Sequence, residues 1–158
     1  MVTVGDKAPD FKLKNQNNEA VSLQDFKGQW SVVYFYPKDN TPGCTLEAKN
    51  FSDRINDFKA ENVPIIGISP DSTNSHKKFE EKQDLSITLL SDEDHSTLKD
   101  YGVWKLKKMY GKEFEGVERT TFLITPQGKI DHIWSKVKVP NHATDVLNTI
   151  KEKKNESP

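Results

Sequence analysis

The middle of this 158-residue chain alternates apolar, strand-like runs with segments of helical periodicity. Residues 30–36 are β-branched and aromatic, with too little polar alternation for one wet face, which predicts a strand covered on both sides. Residues 45–61 repeat apolar side chains at helical spacing, and residues 63–69 form a second buried strand. Because parallel strands joined by helices need helices on both faces of their sheet, we predict an α/β fold. The predicted architecture is a three-layer sandwich, with a mixed central sheet flanked by helices.

The flanking segments are assigned from turn formers and shorter periodic runs. In chain order they begin with an N-terminal hairpin over 10–14 and 21–23, a short connection or single helical turn over 24–28, a polar helix from 71–73 to about 84, a strand over 86–90 and a helix near 96–101. They continue with a long loop that has some extended structure over 102–118, a hairpin over 120–125 and 129–134, and a final helix from Asn141 or His142. We predict that Trp104, Tyr110 and Phe114 pack beneath the long loop. Residues 1–158 are interpreted as one domain with a charged, frayed tail at 151–158.

Composition excludes several classes of protein. Hydrophobic residues make up 34% of the chain and charged residues 30%, which with the periodic apolar runs indicates a folded globule with a charged surface. The formal charge of −1 gives no basic excess for binding nucleic acid. No apolar run approaches the roughly 20 residues that span a bilayer, and the first residues lack the features of a secretory signal. We therefore expect a cytoplasmic protein without membrane association.

Cys44 is the only cysteine, and its position admits two interpretations. It shares one helical face with four apolar residues, namely Ala48, Phe51, Ile55 and Phe58. Unpaired cysteines are among the most buried residues, so periodicity alone favours an inert core thiol. A lone cysteine also excludes an intramolecular disulfide.

The residues just before Cys44 favour a reactive thiol instead. Thr41-Pro42 is a helix-start signal, with a threonine N-cap and proline at the first helical position, so Cys44 becomes the third helical residue. Backbone N–H groups in that first turn lack intrahelical partners, and the helix dipole favours an anion there. Gly43 removes a side chain beside the sulfur, which leaves the backbone open to a small ligand, and the Thr41 hydroxyl could reach the thiolate. We therefore predict that Cys44 is the nucleophile of a thiol-based redox enzyme.

Arginine is scarce in this chain, which makes Arg119 a candidate partner of the cysteine. The chain contains 21 lysines but only two arginines, Arg54 and Arg119. Arg119 directly precedes the predicted strand at 120–125, and a planar guanidinium suits both a thiolate and an oxyanion. The alternative is a surface arginine paired with Glu115 or Glu118. Arg54 is interpreted as a solvated residue in the middle of a helix.

The residues around Cys44 resemble a known family. Pro37, Thr41 and Cys44 match the Pro-x-x-x-Thr-x-x-Cys signature of peroxiredoxins. Residues 35–48 look like the bacterioferritin comigratory protein, or peroxiredoxin Q, subgroup. The similarity continues at 102–104, 108–111 and 118–122. The resemblance thus covers nearly the whole chain.

This resemblance implies a thioredoxin-like fold and a thiol-dependent peroxidase that reduces hydrogen peroxide and organic hydroperoxides in antioxidant defence. Cys44 would be the peroxidatic cysteine, which peroxide converts to a sulfenic acid. Thr41 and Arg119 would position the peroxide and stabilise the thiolate. Pro37 would shield the site, and Glu47 would orient the arginine.

Lys49 marks a departure from the subgroup. Many of its members place a resolving cysteine five positions after the first, where this chain has Lys49. We therefore expect a one-cysteine, monomeric enzyme that is reduced by an external thiol, such as thioredoxin, a glutaredoxin-type protein or a low-molecular-weight thiol. An engineered substitution at Lys49 is the alternative, although lysine is an odd replacement for cysteine.

Two other functions compete with the peroxidase. One is a non-catalytic interaction or chaperone module of the thioredoxin fold, with a buried, inert cysteine. The other, a disulfide oxidoreductase, is disfavoured because the chain has no Cys-x-x-Cys pair. No metal or other cofactor is expected, because the four histidines lie far apart in the sequence and there is no second cysteine.

Overall fold

The computed structural model describes residues 2–156. Its strands are β1 (Lys12–Asn15), β2 (Ala20–Ser22), β3 (Ser31–Phe35), β4 (Ile65–Ser69), β5 (Thr88–Ser91), β6 (Trp104–Met109), β7 (Lys112–Val117), β8 (Thr120–Ile124) and β9 (Ile130–Trp134). Its helices are α1 (Pro42–Asp53), α2 (Ile55–Ala60), α3 (Thr73–Gln83), α4 (Ser96–Asp100) and α5 (His142–Glu156). Among the described residues, none of these helices has the length and apolar character needed to cross a membrane.

A seven-stranded mixed sheet with the order β2-β1-β5-β4-β3-β8-β9 forms the centre of the molecule. Strands β3, β4 and β5 are parallel to one another, as the helices between them require, and the other pairs are antiparallel. The pairing of β3 with β8 sets Phe35 opposite Thr120, so the end of β3 lies beside the start of β8. The predicted N-terminal hairpin, parallel centre and late hairpin are confirmed.

Helices cover both faces of this sheet because successive side chains of a strand point to opposite sides. Val32 and Tyr34 of β3 belong to a core shared with α1, α2, α3 and α5. Val33 and Phe35 belong to a second core, which includes Leu98 of α4. All four β3 side chains are nearly inaccessible to solvent. The predicted three-layer α/β sandwich is confirmed.

The prediction of a single helix over 45–61 is wrong, because the chain forms two helices that meet at Arg54. Arg54 has φ −103° and ψ 13°, and its N–H donates three residues back, to the carbonyl of Phe51, over 3.2 Å. The buried face continues beyond the break through Phe58, so the apolar periodicity gave no sign of it. Cys44 therefore lies on a separate, shorter helix than the sequence predicted.

The segment over 102–118 is predicted as a long loop with some extended structure. The extended part is confirmed but the loop is wrong, because β6 and β7 form a regular hairpin that is a small sheet of its own. Tyr110 and Gly111 make its two-residue turn with positive φ values of 53° and 74°, the geometry of tight hairpin turns. Tyr110 is 97% exposed and Phe114 42% exposed, so neither packs beneath the segment as predicted, whereas Trp104 is half-buried. Because most of the hairpin is exposed, its sequence lacks the alternation of a half-buried strand.

The charged C-terminal segment is helical as far as Glu156, so the predicted frayed tail is wrong over that part. Lys154 donates to the carbonyl of Glu61 and lies 3.4 Å from its carboxylate, and Lys153 lies 3.6 Å from a carboxylate oxygen of Asp131. These contacts hold the end of α5 against the rest of the fold. The remainder of the predicted tail, 157–158, lies outside the described residues.

Candidate active site

Cys44 lies in the first turn of α1, at the end of the loop that follows β3. Thr41 has an extended backbone (φ −85°, ψ 154°), and Pro42 is the first helical residue, which confirms the predicted helix start. The first intrahelical hydrogen bond runs from the Thr45 N–H to the carbonyl of Thr41, over 2.8 Å. The N–H groups of Gly43 and Cys44 precede it and point out of the helix N-terminus. Cys44 is 2% exposed, so the thiol lies beneath the surface.

Arg119 reaches the sulfur from the start of β8. Its Nη2 donates to Cys44 Sγ over 3.2 Å, and its Nη1 donates to Glu47 Oε1 over 2.6 Å. One guanidinium thus binds the thiol and a carboxylate at once, which a lysine ammonium cannot do with fixed geometry. Burial alone would lower the pKa of Arg119, but the charges of Glu47 and Cys44 raise it above its ordinary value. The structure therefore brings together three of the residues predicted for the site, around a permanent positive charge.

Glu47 lies behind that guanidinium, with a side chain that is 1% exposed. Its Oε2 has no hydrogen-bond partner among the described residues. Burial raises the pKa of Glu47 from 4.5 to about 7, and the charge of Arg119 offsets only part of the rise. Glu47 therefore changes charge near neutral pH. In its protonated form it leaves the whole charge of Arg119 acting on the sulfur.

Folding stability should report this ionisation of Glu47. Because its folded pKa is about 7 and its ordinary pKa 4.5, the folded protein keeps a proton that the unfolded chain releases between those pH values. The contribution of Glu47 to the free energy of unfolding should therefore fall as pH rises through that window, by up to about 3 kcal/mol. Denaturant titrations of the natural protein and Glu47→Gln at about pH 5 and about pH 8 measure it. A stability difference that is the same at both pH values would contradict the assignment.

The remaining predicted residues surround this centre in different ways. The Thr41 hydroxyl donates to the carbonyl of Lys38 over 2.8 Å instead of capping α1, which leaves its oxygen lone pairs to accept a hydrogen. At Gly43, an added Cβ would lie 3.3 Å from Arg119 Nη2. The missing side chain therefore makes room for the guanidinium, whereas the sequence suggested room for a ligand. Pro37 is half-buried at the start of the loop.

A buried polar cluster that the sequence did not predict adjoins the same loop. Asp39 accepts hydrogen bonds from the hydroxyls of Tyr36 (2.6 Å) and Ser75 (2.8 Å), and its carboxylate lies 2.7 Å from His76 Nδ1. The backbone N–H of Asp39 donates to a carboxylate oxygen of Asp71 over 2.8 Å. The only sign of it in the sequence is that His76 lies three residues before Phe79 in the predicted polar helix, so that the two side chains share one face.

This cluster does not have the geometry of a zinc site. Ligand atoms of Asp39, Asp71 and His76 lie within 4.8 Å of one another. However, Asp39 Oδ2 and His76 Nδ1 are 2.7 Å apart, whereas two ligands of one zinc ion would be about 3.3 Å apart. The short separation is that of a hydrogen bond, so the cluster is a hydrogen-bonded network.

An α/β sandwich that holds its single thiol at a helix N-terminus, hydrogen-bonded to an arginine, is the arrangement expected of a thiol-based redox enzyme. Residues 4–133 match the model of the AhpC/TSA family. The chain belongs to this family. Peroxiredoxin Bcp of Bacillus subtilis (strain 168) is 48% identical to it over 151 residues, which cover 96% of each chain. Peroxiredoxin Bcp of Escherichia coli (strain K12) is 46% identical over 148 residues, or 94% of this chain and 95% of the other.

Solved structures agree with this assignment. A cysteine-to-serine variant of Xylella fastidiosa PrxQ has a TM-score of 0.93 at 39% identity, covering 98% of both chains. The bacterioferritin comigratory protein of Xanthomonas campestris, described for its alkyl peroxide reduction activity, has a TM-score of 0.87 at 40% identity, covering 90% of this chain and 91% of the other. The resemblance to the peroxiredoxin Q subgroup and the thioredoxin-like fold are confirmed. The chain is a peroxiredoxin, a thiol-dependent peroxidase, and the non-catalytic alternative is not supported.

Proposed function

We propose that Cys44 is the peroxidatic nucleophile of this enzyme and that Arg119, Thr41 and the N-terminus of α1 bind the peroxide. The observation that carries the proposal is the 3.2 Å hydrogen bond from Arg119 Nη2 to Cys44 Sγ. The thiolate, not the thiol, is the nucleophile, and a charged donor together with the helix dipole favours the anion. Both interactions therefore favour the form of the sulfur that can attack a peroxide.

The reaction with peroxide follows from these positions. The Cys44 thiolate attacks the terminal oxygen of a hydroperoxide, so that a sulfur–oxygen bond forms while the oxygen–oxygen bond breaks. The sulfur is oxidised by two electrons to a sulfenic acid, and the departing oxygen takes a proton and leaves as water or an alcohol. Arg119 and the N–H groups of Gly43 and Cys44 stabilise negative charge as it moves from the sulfur to the departing oxygen.

Thr41 orients the peroxide in this scheme. Its hydroxyl hydrogen is directed to the carbonyl of Lys38, so its oxygen presents lone pairs, and a hydroperoxide O–H is a suitable donor to them. Glu47 holds the guanidinium of Arg119 in place through its 2.6 Å hydrogen bond. Pro37, half-buried at the start of the loop, shields the thiolate from water.

Reduction of the sulfenic acid requires a thiol from another molecule. This chain has one cysteine, and Lys49 is exposed on α1. Solved structures of Xanthomonas campestris peroxiredoxin Q, by contrast, include serine variants at two different cysteines. One external thiol condenses with the sulfenic acid, which releases water and forms a mixed disulfide, and a second thiol cleaves that disulfide. Thioredoxin, a glutaredoxin-type protein or a low-molecular-weight thiol supplies the two equivalents.

The burial of Cys44 sets a condition on this second step. At 2% exposure, its sulfur cannot come within the roughly 2 Å that a disulfide with a reductant protein demands. The first turn of α1 therefore opens after oxidation. Because the helix is interrupted at Arg54, this opening need not spread into α2. The proposal places the enzyme in the cytoplasm, because a reducing compartment maintains both the free Cys44 and the thiol pool. It also takes the enzyme to be a monomer.

Mass spectrometry tests this proposed function. One equivalent of hydrogen peroxide should add one oxygen, about 16 Da, to Cys44, and later addition of reduced thioredoxin or glutathione should restore the original mass. Peptide mapping is needed because oxidation of a methionine such as Met109, which is 57% exposed, adds the same mass. An unmodified Cys44 in peroxide-treated protein would contradict the proposal.

A further inference from the structure

A buried histidine and a buried aspartate connect helix α3 to the loop that precedes Cys44. The His76 side chain is 0% exposed and that of Asp39 2% exposed. His76 Nδ1 lies 2.7 Å from Asp39 Oδ2, and its Nε2 lies 2.9 Å from the carbonyl oxygen of Leu90 on β5. The two ring nitrogens therefore face different parts of the fold. Nδ1 faces the loop of the reaction site, and Nε2 faces the central sheet.

The hydrogen-bond partners of His76 and Asp39 indicate where the protons of this pair lie. A carbonyl oxygen only accepts, so His76 Nε2 carries a hydrogen. The Asp39 carboxylate already accepts from the hydroxyls of Tyr36 and Ser75, at 2.6 Å and 2.8 Å. A further 2.7 Å contact between Nδ1 and Oδ2 requires one proton between them, on the ring or on the carboxyl group. In either form the pair has no net charge, as expected for ionisable groups that are fully buried.

The same aspartate is also held by its backbone. Its N–H donates to Asp71 Oδ2 over 2.8 Å, and that oxygen accepts a second hydrogen bond from the Ser69 hydroxyl at the end of β4, over 2.7 Å. Both the side chain and the main chain of Asp39 are thus attached to the layer formed by α3 and the sheet. A loop residue attached at both ends cannot rotate without breaking several buried hydrogen bonds.

The attachment continues to the reaction site through a single peptide unit. Lys38 directly precedes Asp39, and its carbonyl accepts the Thr41 hydroxyl hydrogen over 2.8 Å. The orientation of that carbonyl decides which way the hydroxyl hydrogen points, and therefore where the lone pairs of the oxygen lie. Holding Asp39 fixes the adjoining carbonyl. A chain of contacts thus runs from His76 through Asp39 and Lys38 to Thr41.

We propose that the Asp39–His76 pair positions Thr41 for peroxide binding, so that His76 and Asp39 act on the reaction without touching the substrate. The proposal rests on the proposed role of Thr41 as an acceptor for the peroxide. A purely structural role is the competing explanation, because His76 also joins α3 to β5 through Leu90. The two explanations assign importance to different ring nitrogens, so they can be separated by experiment.

Two amide substitutions at His76 each keep one of its two hydrogen bonds and remove the other. An asparagine amide reaches about as far as Nδ1 and keeps a donor for Asp39, whereas a glutamine amide reaches about as far as Nε2 and keeps a donor for the Leu90 carbonyl. His76→Gln should therefore slow the second-order oxidation of Cys44 by hydrogen peroxide about tenfold or more, since small displacements of a positioning group have effects of this size. His76→Asn should slow the same oxidation by a several-fold smaller factor. Stopped-flow fluorescence gives the rates, and thermal denaturation gives the stability of each variant.

Gln16 offers a matched control. It is a buried polar side chain that also joins α3 to β5, through hydrogen bonds to Glu80, Ile87 and Leu89. Among the described residues, it makes no hydrogen bond to the loop that precedes Cys44. Gln16→Ala should lower the melting temperature without slowing oxidation. If His76→Gln does not fold, Asp71→Ala replaces it, because it removes the backbone attachment of Asp39 and leaves the histidine in place. Asp71→Ala should also slow oxidation about tenfold.

The possible outcomes are distinct. The positioning role would be overturned if, in both His76 variants and in Gln16→Ala, the oxidation rate of Cys44 fell in the same proportion to the drop in melting temperature. Oxidation at the natural rate in His76→Gln or Asp71→Ala would overturn it too, while leaving the proposed reaction at Cys44 intact. Failure of the natural protein to form a sulfenic acid at Cys44 would instead overturn the proposed function, so the two failures can be told apart.

Discussion

Replacing Cys44 with serine is expected to abolish peroxide reduction, lowering the rate by at least about a thousandfold. Serine differs from cysteine by one atom, but its hydroxyl is not ionised at neutral pH, and the chain holds no second thiol that could act instead. Arg119 would still have an acceptor at this position, so the site should keep its shape while losing its nucleophile. Consumption of hydrogen peroxide in the presence of a thiol reductant measures the effect.

Thermal denaturation separates the loss of chemistry from a loss of fold in this variant. The melting temperature of Cys44→Ser should change by only about a few degrees, since one buried atom is exchanged for a similar one. Met109→Leu is a matched control, because it removes a sulfur from an exposed side chain on β6 and should keep full activity. Peroxide consumption that persists in a folded Cys44→Ser protein would contradict the assignment of Cys44 as the nucleophile.

The fold could be predicted wherever burial leaves a pattern in the sequence. Strands β3 and β4 are buried on both faces, and their β-branched and aromatic runs indicated this directly. The β6–β7 hairpin was missed because it is stabilised mainly by its own ladder and its two-residue turn, while most of its side chains face solvent. The break at Arg54 was missed for the opposite reason. Apolar side chains continue on both sides of it, so a change in backbone geometry left the pattern intact.

The site could be predicted where it depends on local sequence. Thr41, Pro42 and Cys44 form a helix start whose chemistry can be derived from their order. Arg119 lies 75 residues further along, and the register of β3 with β8 is what brings it to the sulfur. The scarcity of arginine in the chain and the family resemblance made Arg119 a candidate, but neither predicts its distance from Cys44. The Asp39 network had no comparable signal, because its partners become neighbours only when α3 packs beside the loop.

Replacing Arg119 should have the second largest effect on the reaction. Arg119→Gln removes the charged donor 3.2 Å from the sulfur, and the loss of one such preorganised donor slows a reaction by about 10² to 10³-fold. Arg119→Lys keeps the charge but cannot hold Cys44 and Glu47 with two donors in fixed geometry, so its rate should lie between those of Arg119→Gln and the natural protein. Stopped-flow measurement of the second-order oxidation rate tests this order. Alkylation of Cys44 by iodoacetamide at neutral pH should slow in the same order, because it too depends on the thiolate.

The Glu47 side chain makes it possible to separate the catalytic from the structural part of this effect. In Arg119→Gln the buried Glu47 loses the positive charge that lowers its pKa, so it stays protonated to a higher pH than in the natural protein, where its pKa is about 7. The variant should therefore lose stability relative to the natural protein as pH rises above about 7. The double variant Arg119→Gln/Glu47→Gln has no buried charge to compensate and should recover much of that stability. It should not recover the oxidation rate, because no guanidinium remains beside the sulfur. A double variant that regained the natural rate would show that Arg119 only neutralises Glu47, and its proposed contact with the peroxide would then be wrong.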